Sequence, residues 1–364
     1  MLSHTEKIIQ DSMNRCLEIC ELNAKPDIDD PFIDLLDLRI DKEGVLFYNS
    51  IIDKALRYKR YFVTDEDMSL ISNLDNIYEK LADINSKVIF DWYIGIMTAR
   101  ILTQSLLKAE ELYPYTFLDV SMAKIIKNFL HQIQVKGDEV FLIDGFIVKT
   151  TAPSLMETWT CETYKLDGIC EVEPGDIVID AGAYKGETAI WFAKEMQRKG
   201  KIYSFELVEE FSDIICHNVE SNFLGHVITV VNYALWNTDT EINVHINDSL
   251  SVCRTDGEKS VIATTLDSYI KRNQIQKVDF IKMDLEGAEL MALKGAEQTI
   301  CKFAPKMAIC IYHRLSHIYD VYKIISALPV KYKFYLSHKT HGPMNTIMYC
   351  VPIRSETNVN YRNC

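Results

Sequence analysis

Apolar residues recur every three or four positions through the first third of the chain, the period of a helix with one buried face. On that pattern Thr5–Leu22, Phe47–Tyr61, Asp67–Asn85, Ile89–Ala109 and Val120–Gln134 are expected as helices. Met68, Ile71, Leu74, Ile77 and Leu81 form one stripe, and Pro26 and Pro31 punctuate the first connection. At Glu139 the texture changes. Val140–Ile143, the Asp144-Gly145 pair and Phe146–Thr150 read as a β-hairpin, because Asp-Gly favours the turn that matches strand twist. From Asp176 onward, short apolar runs alternate with helical segments. Ile177–Asp180, Lys201–Phe205, His226–Tyr233, Glu241–Ile246, Phe280–Met283 and Met307–Tyr312 read as strands. Glu187–Gln197, Phe211–Phe223, Ala288–Cys301 and Ile318–Ala327 read as helices, and Ile262–Asn273 as a helical turn region. Tyr332–Ser337 and Asn345–Val351 read as a closing antiparallel pair. Such alternation with fully apolar strands predicts an α/β fold whose mostly parallel sheet is covered on both faces. An all-helical domain, residues 1–138, precedes the α/β domain, residues 139–364.

Composition narrows the function classes. The 364 residues are 48% hydrophobic and 25% charged, ordinary values for globular domains, and the length suggests more than one domain. Lys plus Arg number 39 against 52 Asp plus Glu, a formal charge of -13, which argues against a nucleic-acid partner. The ten cysteines are scattered without a CxxC pair, and Cys310 sits in an apolar run as a small hydrophobe. Met1–Gln10 lacks the apolar core of a signal peptide, and no apolar run reaches the roughly 18 residues of a membrane span. A cytoplasmic protein with no membrane span is therefore expected.

The chemistry concentrates in Gly175–Glu187, GDIVIDAGAYKGE, where a strand ends in Asp180 and a glycine-rich turn leads into a helix. Ligands of doubly wound sheets bind at such strand ends, and glycine there lets a ligand approach the backbone. The pattern is Asp-x-Gly-x-x-x-Gly, without the middle glycine of a dinucleotide site, which disfavours a nucleotide-dependent oxidoreductase. An acid at the start of the loop suits a sulfonium ligand carrying an ammonium group. Glu206 ends the next strand about 20 residues past Gly186, where an acid accepts hydrogen bonds from a ribose diol. Together these point to S-adenosylmethionine (SAM), cradled by Asp180, Gly182, Ala183, Tyr184, Gly186 and Glu206. Asn232, Ala234 and Leu235 are expected near the adenine. Trp191 and Trp236 read as core aromatics, and only Tyr184 as a contact.

The segments VIDAGAYKGETAIWFA, YSFELVEE, VNYALWNTDTEINV, TTLDSYI and VDFIKMDLEGAELMALKGA resemble the FkbM-type SAM-dependent methyltransferases. The resemblance runs from Val140 to Pro352, its most specific motif is Lys282–Gly287 (KMDLEG), and the first 135 residues fall outside it. It implies a Rossmann-like class I methyltransferase sheet with an antiparallel closing strand. It also implies O-methylation of a hydroxyl on a sugar, glycan or natural product.

Methyl transfer from a sulfonium requires a near-attack geometry and a group to take up the hydroxyl proton. Asp284 and Glu286 follow one strand and His313 ends another, which makes them the catalytic candidates, with His338 and His341 behind them. Asp284 could instead cap the helix starting near Gly287, with Glu286 or Glu289 complementing its dipole. His313 and His317, four apart, with Asp284, Asp320, His338 and His341, are a metal alternative. Placement of His313 at a strand end weighs against it, and no metal is assigned. Many members of the family carry an acid two residues before this His, where the chain has Ile311. The helical domain is read as covering the acceptor side or mediating a homodimer. A SAM-binding interaction module without catalysis is the rival reading.

Overall fold

The computed structural model describes residues 3–19, 65–103, 106–118, 120–247, 250–253, 259–314, 316–342 and 345–353. The helix expected over Phe47–Tyr61 lies outside these residues. The helical period gives α1 (His4–Ile19), α2 (Asp65–Lys80), α3 (Ile84–Thr103) and α4 (Leu106–Leu112). The break between α2 and α3 falls where Asp83 accepts the backbone N–H of Ser86 at 2.7 Å, a cap that starts the new helix. Helix α3 is apolar nearly all round and correspondingly buried, with Phe90, Tyr93, Ile94, Ile96 and Ala99 at most 2% exposed. Buried Ile9, Met13 and Cys16 belong to α1, which packs on α3. The start of α1 is tied to α2, where Thr5 donates both its N–H and its hydroxyl to Asp75 at 2.8 and 2.6 Å.

By its contacts the chain resolves into two compact units. The first comprises residues 1–119, 311–322 and 334–346, and the second 120–310, 323–333 and 347–364. Hydrogen bonds hold the distant segments of the first unit to its helices. Ala82 N–H donates to the Phe334 carbonyl, Leu336 N–H to Ser86 Oγ, and the Tyr93 hydroxyl to the Ile311 carbonyl, each at 2.9 Å.

The second unit opens with α5 (Met122–Gln132), capped by Ser121, and a meander of β1 (Ile133–Gly137), β2 (Val140–Ile143) and β3 (Phe146–Lys149). The expected hairpin thus gains a third strand, because the helical pattern ends at Gln132 and not at Gln134. Asp144 and Gly145 take φ of 47° and 81°, the left-handed pair that the tight turn demands. A seven-stranded sheet follows in the order β13-β14-β12-β11-β4-β5-β6. Its strands are β4 (Ile177–Ala181), β5 (Lys201–Phe205), β6 (Ile228–Val231), β11 (Phe280–Met283), β12 (Lys306–Cys310), β13 (Tyr332–His338) and β14 (Thr346–Pro352). From β12 to β6 all neighbours are parallel, whereas β14 runs antiparallel to β12.

Helices cover both faces of this sheet. Phe192 of α6 (Glu187–Glu195) meets Phe280 at 5.5 Å on one face. On the other, Tyr269 of α8 (Leu266–Arg272) meets Phe205 at 4.8 Å. Helix α7 (Glu209–Ser221) contacts β6 and β3. A second sheet runs β7-β10-β8-β9, with β7 (Ala234–Leu235), β8 (Thr240–Asn247), β9 (Leu250–Cys253) and β10 (Lys259–Thr264). Strand β10 corrects the helical reading of residues from Ile262. Its β-branched run pairs with β8, and Thr265 caps α8 only afterwards. The helix expected over Ala288–Cys301 is likewise two, α9 (Glu289–Lys294) and α10 (Glu297–Phe303). The last helix, α11, is His317–Ala327. Cys170, Cys216, Cys310 and Cys350 are free thiols, and no described helix is long and apolar enough to cross a membrane.

Gly295 separates α9 from α10, and a Cβ there would lie 2.0 Å from the Trp236 carbonyl oxygen. Backbone cannot yield cheaply, so Gly295→Ala is expected to cost about 1–3 kcal/mol. Urea unfolding should show a lower midpoint at an unchanged slope.

Candidate active site

Register builds the site. Met283, Ala181 and Phe205 are partners across β11, β4 and β5, so Asp284, Gly182 and Glu206 leave the three strands at one level. The loop after β4 is latched to β5, with the Gly182 and Ala183 N–H groups both donating to the Phe205 carbonyl at 3.0 Å. Gly182, Tyr184 and Gly186 have φ of 78°, 49° and 86°, so the loop curls through alternate left-handed residues. A Cβ at Gly182 would lie 1.8 Å from the Asp284 carbonyl oxygen, so its bareness lets the ends of β4 and β11 meet. The Tyr184 ring packs on Phe211 at 4.8 Å.

Glu206 is 7% exposed. Its oxygens accept the N–H groups of Tyr184 at 2.9 Å and Val208 at 2.8 Å. A carboxylate offers about four acceptor positions, so capacity for a diol remains. Burial pushes its pKa up to about 7, opposed by those backbone donors and by Lys282. Asn232 braces this strand end, its side-chain amide donating to the Glu206 carbonyl and to Ser212 Oγ, each at 2.9 Å. Ala234 and Leu235 are buried as β7, paired with Ala263 and Thr264. Trp191 is buried core, as expected.

Asp180 lies beneath the loop and is fully buried. Its Oδ1 stands 3.3 Å from Nζ of Lys282, itself 1% exposed, and that ammonium also donates to the Gly182 carbonyl. Burial raises the Asp180 pKa and Lys282 lowers it. The Lys282 pKa stands above its usual value, because burial is outweighed by Asp180 and Asp284. Lys282 was passed over in the sequence, yet a lysine inside an apolar strand requires a buried counter-charge. Asp180 at the same register supplies it.

Asp284 is half-buried and accepts the Tyr164 hydroxyl at 2.6 Å. It is not the cap of α9, which starts five residues later with Ala288 at the N-cap position. Glu286, with φ 51°, turns the chain between strand and helix. Glu289 is fully buried, and its Oε1 accepts the Leu285 N–H at 2.8 Å, a role beyond the expected dipole. The Tyr164 ring lies 5.0 Å from the Lys282 ammonium. Tyr164 is anchored from below by the Tyr349 hydroxyl, which donates to the carbonyls of Thr163 and Lys165. Nothing in the sequence around Tyr164 signals this role.

His313 and His338 fall in segments grouped with the first unit. Strand β12 stops at Cys310, so His313 follows it in a loop and does not end it, buried at 1% beside Tyr312. His317 is the first residue of α11. His338 packs among the rings of Trp92, Tyr115 and Phe117 at 4.6, 5.6 and 6.0 Å, and burial drives its pKa down to about 3. The His341 ring lies 5.2 Å from that of Tyr115.

The second unit fits a cationic nucleoside. Its rim carries Glu206 and Asp284, and the fully enclosed Asp180 Oδ2 has no hydrogen-bond partner among the described residues. Residues 180–344 match the family model of the methyltransferase FkbM domain. Over that span the chain is similar to the FkbM methyltransferase domain. The family is SAM-dependent, and the fold is that of a class I methyltransferase.

A solved structure similar to this chain is the methyltransferase FkbM from Methylobacillus flagellatus. It is 21% identical with a TM-score of 0.52, over 77% of this chain and 58% of that one, so this chain spans under two thirds of its length. An O-methyltransferase from Bacillus cereus in complex with SAH is 18% identical, TM-score 0.34, over 48% and 73% of the two chains. Fibrillarin from Aeropyrum pernix with bound S-adenosyl-L-methionine is 13% identical, TM-score 0.38, over 62% and 86%. No curated protein matches the sequence.

Removing one partner of a buried ion pair strands the other, so Lys282→Met is expected to lose about 3–5 kcal/mol in urea unfolding. The acids predict a pH dependence. Glu206 and Glu187 stand near 7 when folded against a usual 4.5, so the folded state binds more protons between those values. Their contribution to stability therefore falls as pH rises from about 4.5 to about 7. Glu206→Gln should flatten part of that slope in melts recorded across the range.

Proposed function

We propose that this protein transfers a methyl group from SAM to a hydroxyl of a sugar, glycan or natural product in the cytoplasm. The observation that carries this reading is the common level at which Asp284, Gly182 and Glu206 leave adjacent parallel strands. Bound SAM supplies an electrophilic methyl that needs no further activation. Asp180, Gly182, Ala183, Tyr184 and Gly186 form and support the cradle, Glu206 accepts the ribose diol, and Asn232, Ala234 and Leu235 flank the adenine. Asp284, held by the Tyr164 hydroxyl, orients the acceptor on the neighbouring strand. His313 takes up the hydroxyl proton, and Glu286 completes the acceptor rim.

Calorimetry with S-adenosylhomocysteine (SAH) tests the cofactor half. Glu206→Ala should weaken binding by about 10- to 100-fold, the worth of hydrogen bonds to a charged group. Incubation with SAM and a library of hydroxylated acceptors should yield a product about 14 Da heavier by mass spectrometry, one methylene of added mass. On that acceptor, Asp284→Asn or His313→Ala should lower kcat by about 10²-fold or more. Unchanged turnover would remove the residue concerned from the catalytic assignment.

A further inference from the structure

The charges buried beneath the amino end of α6 do not balance. Asp180 and Glu187 are 0% and 5% exposed, and Lys282 is 1% exposed. Two enclosed carboxylates, Asp180 at 3.3 Å and Glu187 at the start of α6, thus share one enclosed ammonium, that of Lys282. Lys282, Asp180 and Ser204 are register partners across β11, β4 and β5, so their side chains share one face of the sheet. It is the face covered by α6, since Phe280, two residues before Lys282, meets Phe192 there. On that face Asp180 Oδ2 and Ser204 Oγ are fully buried and have no hydrogen-bond partner among the described residues. Glu187 opens α6 directly after the glycine-rich loop. Its Oε2 accepts the hydroxyl of Thr150, itself 0% exposed, at 3.0 Å.

We propose that Glu187 is a specificity residue of the cofactor site that favours the sulfonium of SAM over the neutral thioether of SAH by charge. The inference rests on the SAM reading above and deepens it. SAM carries a net positive charge that SAH lacks, and the nest under α6 carries more carboxylate than ammonium. The cation of SAM supplies the missing positive charge. Without it, a proton on Glu187 does so.

The groups facing Glu187 support this exchange. Thr150 at the end of β3, Lys282 from β11 and its own backbone N–H favour the anion, whereas Asp180 from β4 disfavours it. The Tyr184 phenol in the loop is influenced by Glu187 in turn. Burial is the largest effect and lifts the Glu187 pKa to about 7. The step balances as the neutral acid plus SAM giving the carboxylate with SAM, and one proton passing to the buffer. After methyl transfer the cofactor is neutral and the nest regains its unmet charge, which favours release of SAH.

The test is calorimetry on the full chain in buffers of different ionisation enthalpy. The probes are SAM, SAH and sinefungin, whose amine carries positive charge in place of the sulfonium. At pH 7, SAM and sinefungin should each release about half a proton more than SAH, since Glu187 is about half ionised there. The affinity ratio of SAM to SAH should rise about tenfold from pH 6 to pH 8. Glu187→Gln, which keeps a side chain able to meet Thr150, should abolish both effects. Thr150→Val, as a second variant, should move the proton release to higher pH. Equal proton release by SAM and SAH in the unaltered protein, or a difference that survives Glu187→Gln, overturns the proposal. If neither SAM nor SAH binds the unaltered protein, the methyltransferase reading itself fails, an outcome distinct from these.

Discussion

The Lys282 ammonium, buried between Asp180 and the Gly182 carbonyl, joins the ends of two parallel strands at the point where the site begins. In an interior of low effective dielectric this attraction is strong, but removing both charges from water costs several kcal/mol each. The net contribution to stability is therefore modest. Its consequence is positional: an ammonium left in that strand without Asp180 would be intolerable, so the pair admits one register between β4 and β11. From that register follow the shared level of Asp284, Gly182 and Glu206, and the close approach that only a glycine at 182 permits.

Elements ahead of the FkbM-matching region complete this arrangement. Thr150 reaches Glu187, Glu139 pairs with Lys185 at 2.7 Å, and Tyr164 holds Asp284. Each comes from residues 139–164, before the matched span begins at residue 180. The turn between β1 and β2, the end of β3 and the segment after the π-helical turn of Met156–Thr160 thus form part of the site's support. Their contacts are hydrogen bonds and ion pairs onto loop and strand ends, so they set side-chain positions without altering the order of the sheet.

How much was legible can be judged residue by residue. The β-α alternation and the loop after β4 could be read because buried parallel strands are apolar throughout and left-handed positions select glycine. Glu206 could be read because it ends a strand at a characteristic distance from that loop. Lys282 could not, since its meaning depends on an acid 102 positions earlier that only strand pairing brings alongside. The helical reading of residues from Ile262 failed because pairing with β8 outweighed local pattern. The single helix at Ala288–Cys301 failed at Gly295, where a neighbouring carbonyl occupies the space of a side chain.

The sequence by itself determined the class of fold, the glycine-rich loop and the acids at the strand ends, because these depend on local periodicity, backbone conformation and short spacing. Tertiary structure alone decided that Asp180 serves a buried lysine, that Tyr164 grips Asp284 and that Glu187 sits in an unbalanced nest. The reason is physical. Desolvation and Coulomb interactions depend on distances between residues far apart in the chain, and no window of sequence contains those distances.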